Sequence, residues 1–327
     1  MHVKKQRERE ILDLVYTGRT IQEIIASERP DFLIRGATGA QFGVEVAEIY
    51  DSQTTARLER IPEYAIELLS GGGFRHKDDI AHTSVGKIDI LDKNDDVVDG
   101  HIDAIIREIP TTVDCARALA ALIETKTRKL VEPASSLTHI NLILRDRAAI
   151  PEMTSMEPFY RLYFIPELIR ALSFTYFREV FFVATTKGIT GYVPLKLLMF
   201  LAELYFFNAA YVSLDGSRGF PITAPDTEVF GSYFATLVTE PVLFRQEPAG
   251  DEVIYGECGL LVTPDNSVKI RGYHDNSLPN DARAVSTELA ENLNKEFIDK
   301  LATFKSSNTF VTSLFFPSEY PRLEHKG

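Results

Sequence analysis

The sequence predicts an α/β protein, and three observations lead to this fold class. Apolar residues recur at helical spacing over residues 4–27, which is typical of an amphipathic helix. Two apolar runs follow, Asp31–Arg35 and Phe42–Tyr50, and the small residues of Gly36–Ala40 between them favour a hairpin turn. A further apolar run, His139–Asp146, predicts a buried strand. Helices and strands therefore alternate over the first half of the chain.

The composition is that of a globular protein and argues against several functional classes. The 327 residues are 45% hydrophobic and carry a net charge of −12. That balance disfavours nonspecific coating of nucleic acid, but a local basic channel is compatible with it. Two cysteines and a charged N-terminus without an apolar secretory core predict a cytoplasmic protein without a disulfide framework. The most apolar stretch, Tyr192–Leu214, contains Lys196 and Glu203, so we expect a buried helix and no membrane span.

The predicted hairpin has one apolar face and one acidic face. Gly36 and Gly39 can supply the positive φ that its turn needs. If the turn is centred on Thr38, Asp31 lies opposite Glu45, with Cβ atoms about 5 Å apart. Two carboxylates at this distance repel each other unless they share a proton or bind a cation. The residues of the other face are apolar and are predicted to be core: Phe32, Ile34, Val44 and Val46.

The rest of the first half is predicted to be mainly helical. Residues 52–69 repeat apolar side chains at helical spacing and precede three glycines, which end the helix. A short strand at Lys87–Leu91 and a helix at Ile102–Val131 flank the Asp-rich segment Asp92–Asp103. That segment has oxygen-bearing side chains at several positions of a calcium-binding EF-hand loop, but Val97 stands where such a loop requires glycine. We therefore expect a solvated loop there.

A domain boundary is predicted near residue 150, with residues 1–150 as the first domain and residues 151–327 as an α+β region. The alternative is that the second region continues the sheet of the first. No motif in the second region indicates its role. Its predicted elements are a strand at Phe177–Thr186, a helix at Pro194–Phe207, strands at Ala210–Leu214, Val253–Glu257, Gly259–Thr263 and Val268–Gly272, a helix at Thr287–Phe304 and a strand at Phe310–Phe316.

The segments ERPDF and GVEVAEIY resemble a known nuclease motif. Asp31 follows Pro30, and thirteen residues separate it from Glu45. This pattern resembles the PD-(D/E)XK superfamily of nucleases over roughly residues 8–147. The resemblance implies a restriction-endonuclease-like fold, in which helices flank a mixed sheet, for the first half of the chain.

The resemblance also implies a metal site. Asp31 and Glu45 match the two acids that bind a divalent metal in this superfamily, usually Mg²⁺ and alternatively Mn²⁺. Such an ion polarises the scissile phosphate and helps to generate the attacking hydroxide, and carboxylate oxygens are suitable ligands for it. Glu10 on the first helix is a candidate third ligand, because acids of the first helix sometimes serve in this superfamily.

The sequence departs from the motif at one position. The superfamily has a lysine two residues after the glutamate, where this chain has Ala47. Alanine can neither orient the water nor offset charge on the phosphate. Lys126 and Lys129, on the later basic helix, are candidates to supply the missing cation, and we assign Lys126 as the catalytic lysine.

The resemblance implies two alternative functions. The first is a metal-dependent phosphodiester hydrolase, an endonuclease that acts on DNA, as in bacterial restriction or phage defence. Its partners would be nucleic acid and either a second copy of the chain or another protein of a defence system. The alternative is a catalytically inactive module of the nuclease fold that binds nucleic acid or a protein partner. Ala47 and the net charge of −12 favour this alternative.

Overall fold

The computed structural model describes eleven longer stretches of the chain and several isolated residues. The stretches are residues 2–16, 21–36, 39–50, 53–107, 111–130, 137–147, 165–186, 189–199, 240–264, 268–273 and 278–285. The isolated residues are 162, 227–228, 231–232, 234–235, 238, 288 and 291.

The helices and strands are numbered in chain order. The helices are α1 (His2–Val15), α2 (Gln53–Arg60), α3 (Tyr64–Leu69), α4 (Asp79–His82), α5 (Thr112–Lys129) and α6 (Pro166–Phe174). The strands are β1 (Glu23–Ala26), β2 (Phe32–Arg35), β3 (Gln41–Ile49), β4 (Thr83–Leu91), β5 (Val97–Arg107), β6 (Ile140–Asp146), β7 (Val180–Thr186), β8 (Ile189–Pro194), β9 (Val242–Glu247), β10 (Gly250–Tyr255), β11 (Cys258–Val262), β12 (Val268–Gly272) and β13 (Arg283–Ala284).

Six strands form the central mixed sheet, in the order β1-β2-β3-β6-β7-β8. β3, β6 and β7 run parallel to one another, and β1, β2 and β8 are antiparallel to their neighbours. β7 and β8 come from beyond residue 151, so the second half of the chain completes the sheet of the first. The expected α/β class, with a mixed sheet flanked by helices, is confirmed.

α1 and α5 lie on opposite faces of this sheet. Successive side chains of a strand point to opposite faces of the sheet. Glu45 and Glu48 are three positions apart on β3, so their side chains point to opposite faces. Lys126 of α5 reaches Glu45, and Arg7 of α1 reaches Glu48. The apolar stripes of both helices are buried in the core: Ile11, Leu12 and Val15 of α1, and Cys115, Ala116, Leu119, Ala120 and Ile123 of α5.

The predicted hairpin is present with the expected register. Phe32 of β2 lies opposite Val44 of β3, which is the register of a turn centred on Thr38. Gly39 has a positive φ of 82°, which the turn requires. The assignment of the apolar face is also confirmed, because all four residues predicted to be core are buried: Phe32, Ile34, Val44 and Val46.

The helix predicted over residues 4–27 is too long. α1 ends at Val15, and Glu23–Ala26 form an edge strand that pairs with β2. Ile24 and Ile25 favour a strand, because β-branched side chains fit a pleated surface better than a helix. β2 also supplies backbone partners for them. The tertiary context therefore overrides the helical spacing of the apolar residues.

Two other helical predictions need correction. The solvated loop predicted at residues 92–103 is present only over residues 92–96, which are exposed and connect β4 to β5. Residues 97–103 and the start of the helix predicted at residues 102–131 belong to β5, because β4 and β5 form an antiparallel two-stranded ribbon. Polar and apolar residues alternate along β5, which is a strand pattern. α5 begins only at Thr112, after a capping box of its own. The helix predicted at residues 52–69 is divided into α2 and α3, with Pro62 between them.

The antiparallel strands predicted in the second half are present. β9 to β13 form a five-stranded sheet in the order β12-β11-β10-β9-β13. The strand predicted at Phe177–Thr186 is present as β7, and residues 195–199 of the predicted helix that follows are helical and buried. The elements predicted at residues 210–214, 287–304 and 310–316 lie almost entirely outside the described residues. None of the described helices is both long and apolar enough to cross a membrane.

A buried polar cluster joins the five-stranded sheet to the central sheet. Glu257, in the turn between β10 and β11, accepts hydrogen bonds from the Tyr16 hydroxyl at 3.0 Å and from the Asn141 amide at 2.6 Å. Its carboxylate also lies 2.8 Å from Nε2 of His139. Burial and the charge of Glu257 raise the pKa of Tyr16, so its hydroxyl remains a donor. Because water is excluded, each polar group depends on its partners within the cluster.

Tyr16→Phe should therefore destabilise the protein. The variant removes the hydrogen bond that Tyr16 donates to the buried Glu257 carboxylate, which should lower the free energy of unfolding by about 1–3 kcal/mol. Urea denaturation measures the change. Tyr176→Phe is the control, because Tyr176 is 75% exposed and its change should stay within about 0.5 kcal/mol. Equal stability of the two variants would contradict a stabilising role for the cluster.

Candidate active site

A cleft of about 830 Å³ opens beside β3, where β2 begins. Asp31, Glu45 and Lys126, three residues of the predicted site, all line it, and so does Ala47. The structure therefore brings together the two acids and the lysine expected to act with them. The full lining is Lys4, Arg7, Glu8, Ile11, Glu28, Arg29, Pro30, Asp31, Glu45, Val46, Ala47, Glu48, Arg60, Leu122, Lys126, Lys129, Leu130 and Ile140.

The backbone of Val46 organises the acidic end of the hairpin. Even-numbered residues of β3 turn their N–H and C=O groups toward β2, because the odd-numbered residues bond to the β6 side. In the hairpin register Pro30 would lie opposite Val46, and proline has no N–H to donate. Asp31 Oδ2 accepts a 3.0 Å hydrogen bond from the Val46 N–H, and Lys126 Nζ donates to the Val46 carbonyl at 3.3 Å. Side chains thus replace the missing strand partner.

Gly43 lets Pro30 lie against β3. A Cβ atom on Gly43 would stand 2.5 Å from Cγ of Pro30 and 3.2 Å from Cγ1 of Ile140. The first distance is well inside the optimal separation of two carbon atoms. Because Pro30 directly precedes Asp31, its close approach to β3 brings the Asp31 carboxylate within reach of Val46.

On the α1 side of the cleft, Lys5 links two carboxylates. Its ammonium lies 3.0 Å from Asp31 Oδ1 and 3.1 Å from Glu8 Oε2. Both acidic side chains are only 10% exposed. Burial opposes the charge on Lys5, but hydrogen bonds to Asp31 and Glu8 raise the pKa of Lys5 above its usual value. Lys5 is therefore protonated near neutral pH and offsets the charge of the two acids.

On the α5 side, Lys126 Nζ lies 2.5 Å from Glu45 Oε1. The same ammonium contacts the Val46 carbonyl, so it lies between a carboxylate and a carbonyl oxygen. Ala47 shares the face of Glu45 on β3, because the two residues are two positions apart. Lys129, about one helical turn beyond Lys126, also lines the cleft, but it bonds neither acid among the described contacts. Lys126 is thus the lysine placed beside the predicted metal ligand.

Glu10 is not part of the cleft. It is exposed on α1, whereas Glu8 is buried and lines the cleft. Sequence reasoning missed Glu8, although the helical phase distinguishes the two acids. Glu8 lies three residues before Ile11 and seven before Val15, both buried, so it shares their face of the helix.

The oxygen donors of the cleft suit a hard divalent cation. Asp31, Glu45 and the Val46 carbonyl all lie at the open end of the hairpin, and Mg²⁺ typically takes one or two carboxylates with water and substrate phosphate. Within the described part of the chain, no group of three or more His, Cys, Asp or Glu side chains is arranged to hold a metal ion. Two carboxylates and one carbonyl are nevertheless donors of the kind that Mg²⁺ takes, and a cation there would have to displace Lys126 from Glu45.

The cleft is more basic than the chain as a whole. Its lining has six basic and five acidic residues, whereas the chain has 35 basic and 47 acidic residues. Arg7 and Arg60 of this lining belong to an arginine cluster, whose third member, Arg147, is not one of the lining residues. The guanidinium groups of Arg7, Arg60 and Arg147 lie 2.7 Å, 3.4 Å and 2.8 Å, respectively, from the carboxylate of Glu48. Sequence reasoning missed the cluster, because its members come from different elements and share no local motif.

No protein-family model matches the chain, and neither a curated protein nor a solved structure is significantly similar to it. The function therefore has to be inferred from the residues of the cleft. These residues offer two chemical features, a pair of acids held with lysines and a group of arginines around one carboxylate.

Glu48→Gln should destabilise the protein in a pH-dependent way. Burial acts to raise the pKa of Glu48, but the hydrogen bond from Arg147 and the charges of Arg7 and Arg60 hold it below its usual value of 4.5. A carboxyl group with a lowered pKa stabilises the fold above its unfolded pKa, and this contribution disappears as the pH falls through the folded pKa. We expect a loss of about 1–3 kcal/mol at about pH 7 and a smaller loss at about pH 3, measured by urea denaturation.

Glu67→Gln is the matched control for this experiment. Glu67 pairs with Arg75 outside the cleft, and its side chain is 43% exposed. Its replacement should change the free energy of unfolding by less than about 0.5 kcal/mol at either pH. A loss for Glu48→Gln that does not depend on pH would show that the carboxylate charge is not what stabilises the arginine cluster.

Proposed function

We propose that the protein is a metal-dependent phosphodiester hydrolase with a restriction-endonuclease-like fold, an endonuclease that acts on DNA. One observation carries the proposal: Asp31 and Glu45 line the same cleft at the end of one hairpin, with Lys126 on Glu45. The resemblance to PD-(D/E)XK nucleases independently assigns the same two acids. A role in bacterial restriction or phage defence, with a defence-system protein or a second copy as partner, rests on that resemblance alone.

In this proposal Asp31 and Glu45 hold the divalent cation, Mg²⁺ or Mn²⁺. The carbonyl of Val46 is a further oxygen donor, and Glu8 takes the place that sequence reasoning assigned to Glu10. A bound cation would polarise the scissile phosphate and lower the pKa of a water molecule. The Val46 N–H keeps the Asp31 carboxylate at the cleft through its 3.0 Å hydrogen bond.

Lys126 takes the role that Ala47 cannot fill. Without a cation its ammonium neutralises Glu45. A cation held by Glu45 would repel the Lys126 ammonium, which would then be free to turn toward the open cleft. There its ammonium can offset charge on a phosphate and orient a water molecule, interactions that are stronger in a partly buried site than in bulk water.

The alternative is a catalytically inactive module that binds nucleic acid or a protein partner. One observation favours it: both acids already have a cationic partner, with Lys5 on Asp31 and Lys126 on Glu45. The charges of the predicted metal site are thus compensated within the protein itself. Metal-dependent stabilisation and cleavage separate the alternative from the enzyme.

Mg²⁺ or Mn²⁺ should raise the melting temperature of the protein and support cleavage of plasmid DNA. A cation present at ten to a hundred times its Kd stabilises the folded state by about 1.4–2.7 kcal/mol, which corresponds to a rise of roughly 2–4 °C for a chain of this length. Scanning fluorimetry measures the shift, and gel electrophoresis measures cleavage. If neither occurs with either metal, the enzyme is excluded and the inactive module remains.

Glu45→Ala should abolish both the metal-induced shift and the cleavage, because it removes a proposed ligand. Glu59→Ala is the control, since Glu59 is exposed on α2 and does not line the cleft. It should behave as the wild type. Cleavage that survives Glu45→Ala would place the chemistry at another site.

The position of the lysine can be tested by moving it. Lys126→Ala should slow cleavage by about 100-fold, the usual cost of losing one group that stabilises developing charge. It should also tighten metal binding, because no ammonium then competes for Glu45. Adding Ala47→Lys to Lys126→Ala should restore part of the rate, since residue 47 shares the face of Glu45. Slower cleavage in Lys129→Ala than in Lys126→Ala would assign the role to Lys129 instead.

A further inference from the structure

We propose that the arginine cluster is a second phosphate-binding site, which holds a phosphate that flanks the one being cleaved. The inference rests on the proposed nuclease function and specifies its substrate class. The substrate is a nucleic-acid strand with consecutive phosphates, and neither a single phosphodiester nor a mononucleotide would fill the cleft.

Four parts of the fold hold the cluster in place. Arg7 comes from α1, Arg60 is the last residue of α2, and Arg147 directly follows β6, where its N–H bonds to the Ile49 carbonyl at 2.9 Å. The carboxylate of Glu48 on β3 lies among the three guanidinium groups and is only 11% exposed. The cluster is therefore organised before any substrate binds, which reduces the entropy cost of binding.

The cluster has a net positive charge that an anion can balance. Three arginines face one carboxylate, so two positive charges are not balanced within the cluster. A phosphate would balance this excess, and the planar guanidinium fork of arginine matches two phosphate oxygens at once. Glu48 alone cannot satisfy all the N–H groups that three arginines offer.

Arg60 is the member best placed to meet a ligand. Its side chain is 53% exposed and lines the cleft, and it lies over the ring of Tyr50 at 4.7 Å. Its contacts to Glu48 and to the Tyr50 hydroxyl are long, at 3.4 Å and 3.3 Å. Arg60 can therefore turn toward a phosphate without breaking a strong bond.

The cluster and the acids line one cleft from opposite faces of the sheet. Arg7, Arg60 and Glu48 line the cleft together with Asp31, Glu45 and Lys126, but the side chains of Glu48 and Glu45 leave β3 on opposite faces. One nucleic-acid strand that crosses the cleft can therefore place its scissile phosphate at Glu45 and another of its phosphates at the cluster.

Arg60→Gln tests the site, with Arg75→Gln as its matched control. Both arginines lie over a tyrosine ring and pair with a glutamate, but Arg75 is outside the cleft. The probes are a fluorescein-labelled DNA duplex and an RNA duplex of the same sequence. Fluorescence anisotropy in EDTA, at several salt concentrations, measures affinity without any chemistry. Melting temperatures show whether each variant is folded.

We expect Arg60→Gln to weaken binding of the duplex by about 5- to 20-fold and to reduce the slope of log Kd against log salt by about 1. Arg60→Lys should lose less of the affinity for the duplex, because lysine keeps the positive charge but lacks the planar guanidinium fork. Arg75→Gln should bind as the wild type does. If Arg60→Gln loses more affinity for the DNA duplex than for the RNA duplex, DNA is the preferred nucleic acid.

Three results would overturn the inference: no binding of either duplex by the wild type, equal binding by the wild type and Arg60→Gln, or an equal loss in Arg75→Gln. Failure of the proposed nuclease function gives a different pattern. Plasmid DNA would then remain uncut with every metal, while Arg60→Gln would still weaken duplex binding. In that case the cluster would be the phosphate site of a nucleic-acid-binding module.

Discussion

The peptide group of Val46 is the constraint on which the candidate site depends. Pro30 stands opposite Val46 in the hairpin register, and it has no N–H to donate to the Val46 carbonyl. The Val46 carbonyl therefore needs another donor, and the Val46 N–H takes a side-chain acceptor as well, since a buried peptide group without a hydrogen bond is costly. Asp31 accepts from one and Lys126 donates to the other. The same backbone requirement thus draws an acid and a lysine to one point.

Charge compensation explains why an acidic chain can hold acids so close together. Asp31 and Glu8 share Lys5, and Glu45 has Lys126, so each of these three carboxylates has a cation within about 3 Å. A divalent cation would compete with these lysines for the carboxylate oxygens.

The two halves of the chain are interdependent in this fold. β7 and β8, from the second half, complete the central sheet beside β6, and Glu257 reaches back from the five-stranded sheet to Tyr16 and Asn141. The cleft itself is built by the first half. The second half therefore supports the sheet that carries β3, and its five-stranded antiparallel part contacts the central sheet at β6 through Glu257 and Asn141.

The sequence by itself determined the hairpin, its register, its apolar face and the two acids at its end, because these depend on residues less than twenty positions apart and on the period of a strand. Only the tertiary structure decided which other residues line the cleft. β1 is a strand because β2 pairs with it, Glu8 lines the cleft and Glu10 does not because of the way α1 packs, and the arginine cluster forms because three separate elements converge on Glu48. These features depend on contacts between residues that are distant in the sequence, and the spacing of residues along the chain does not predict such contacts.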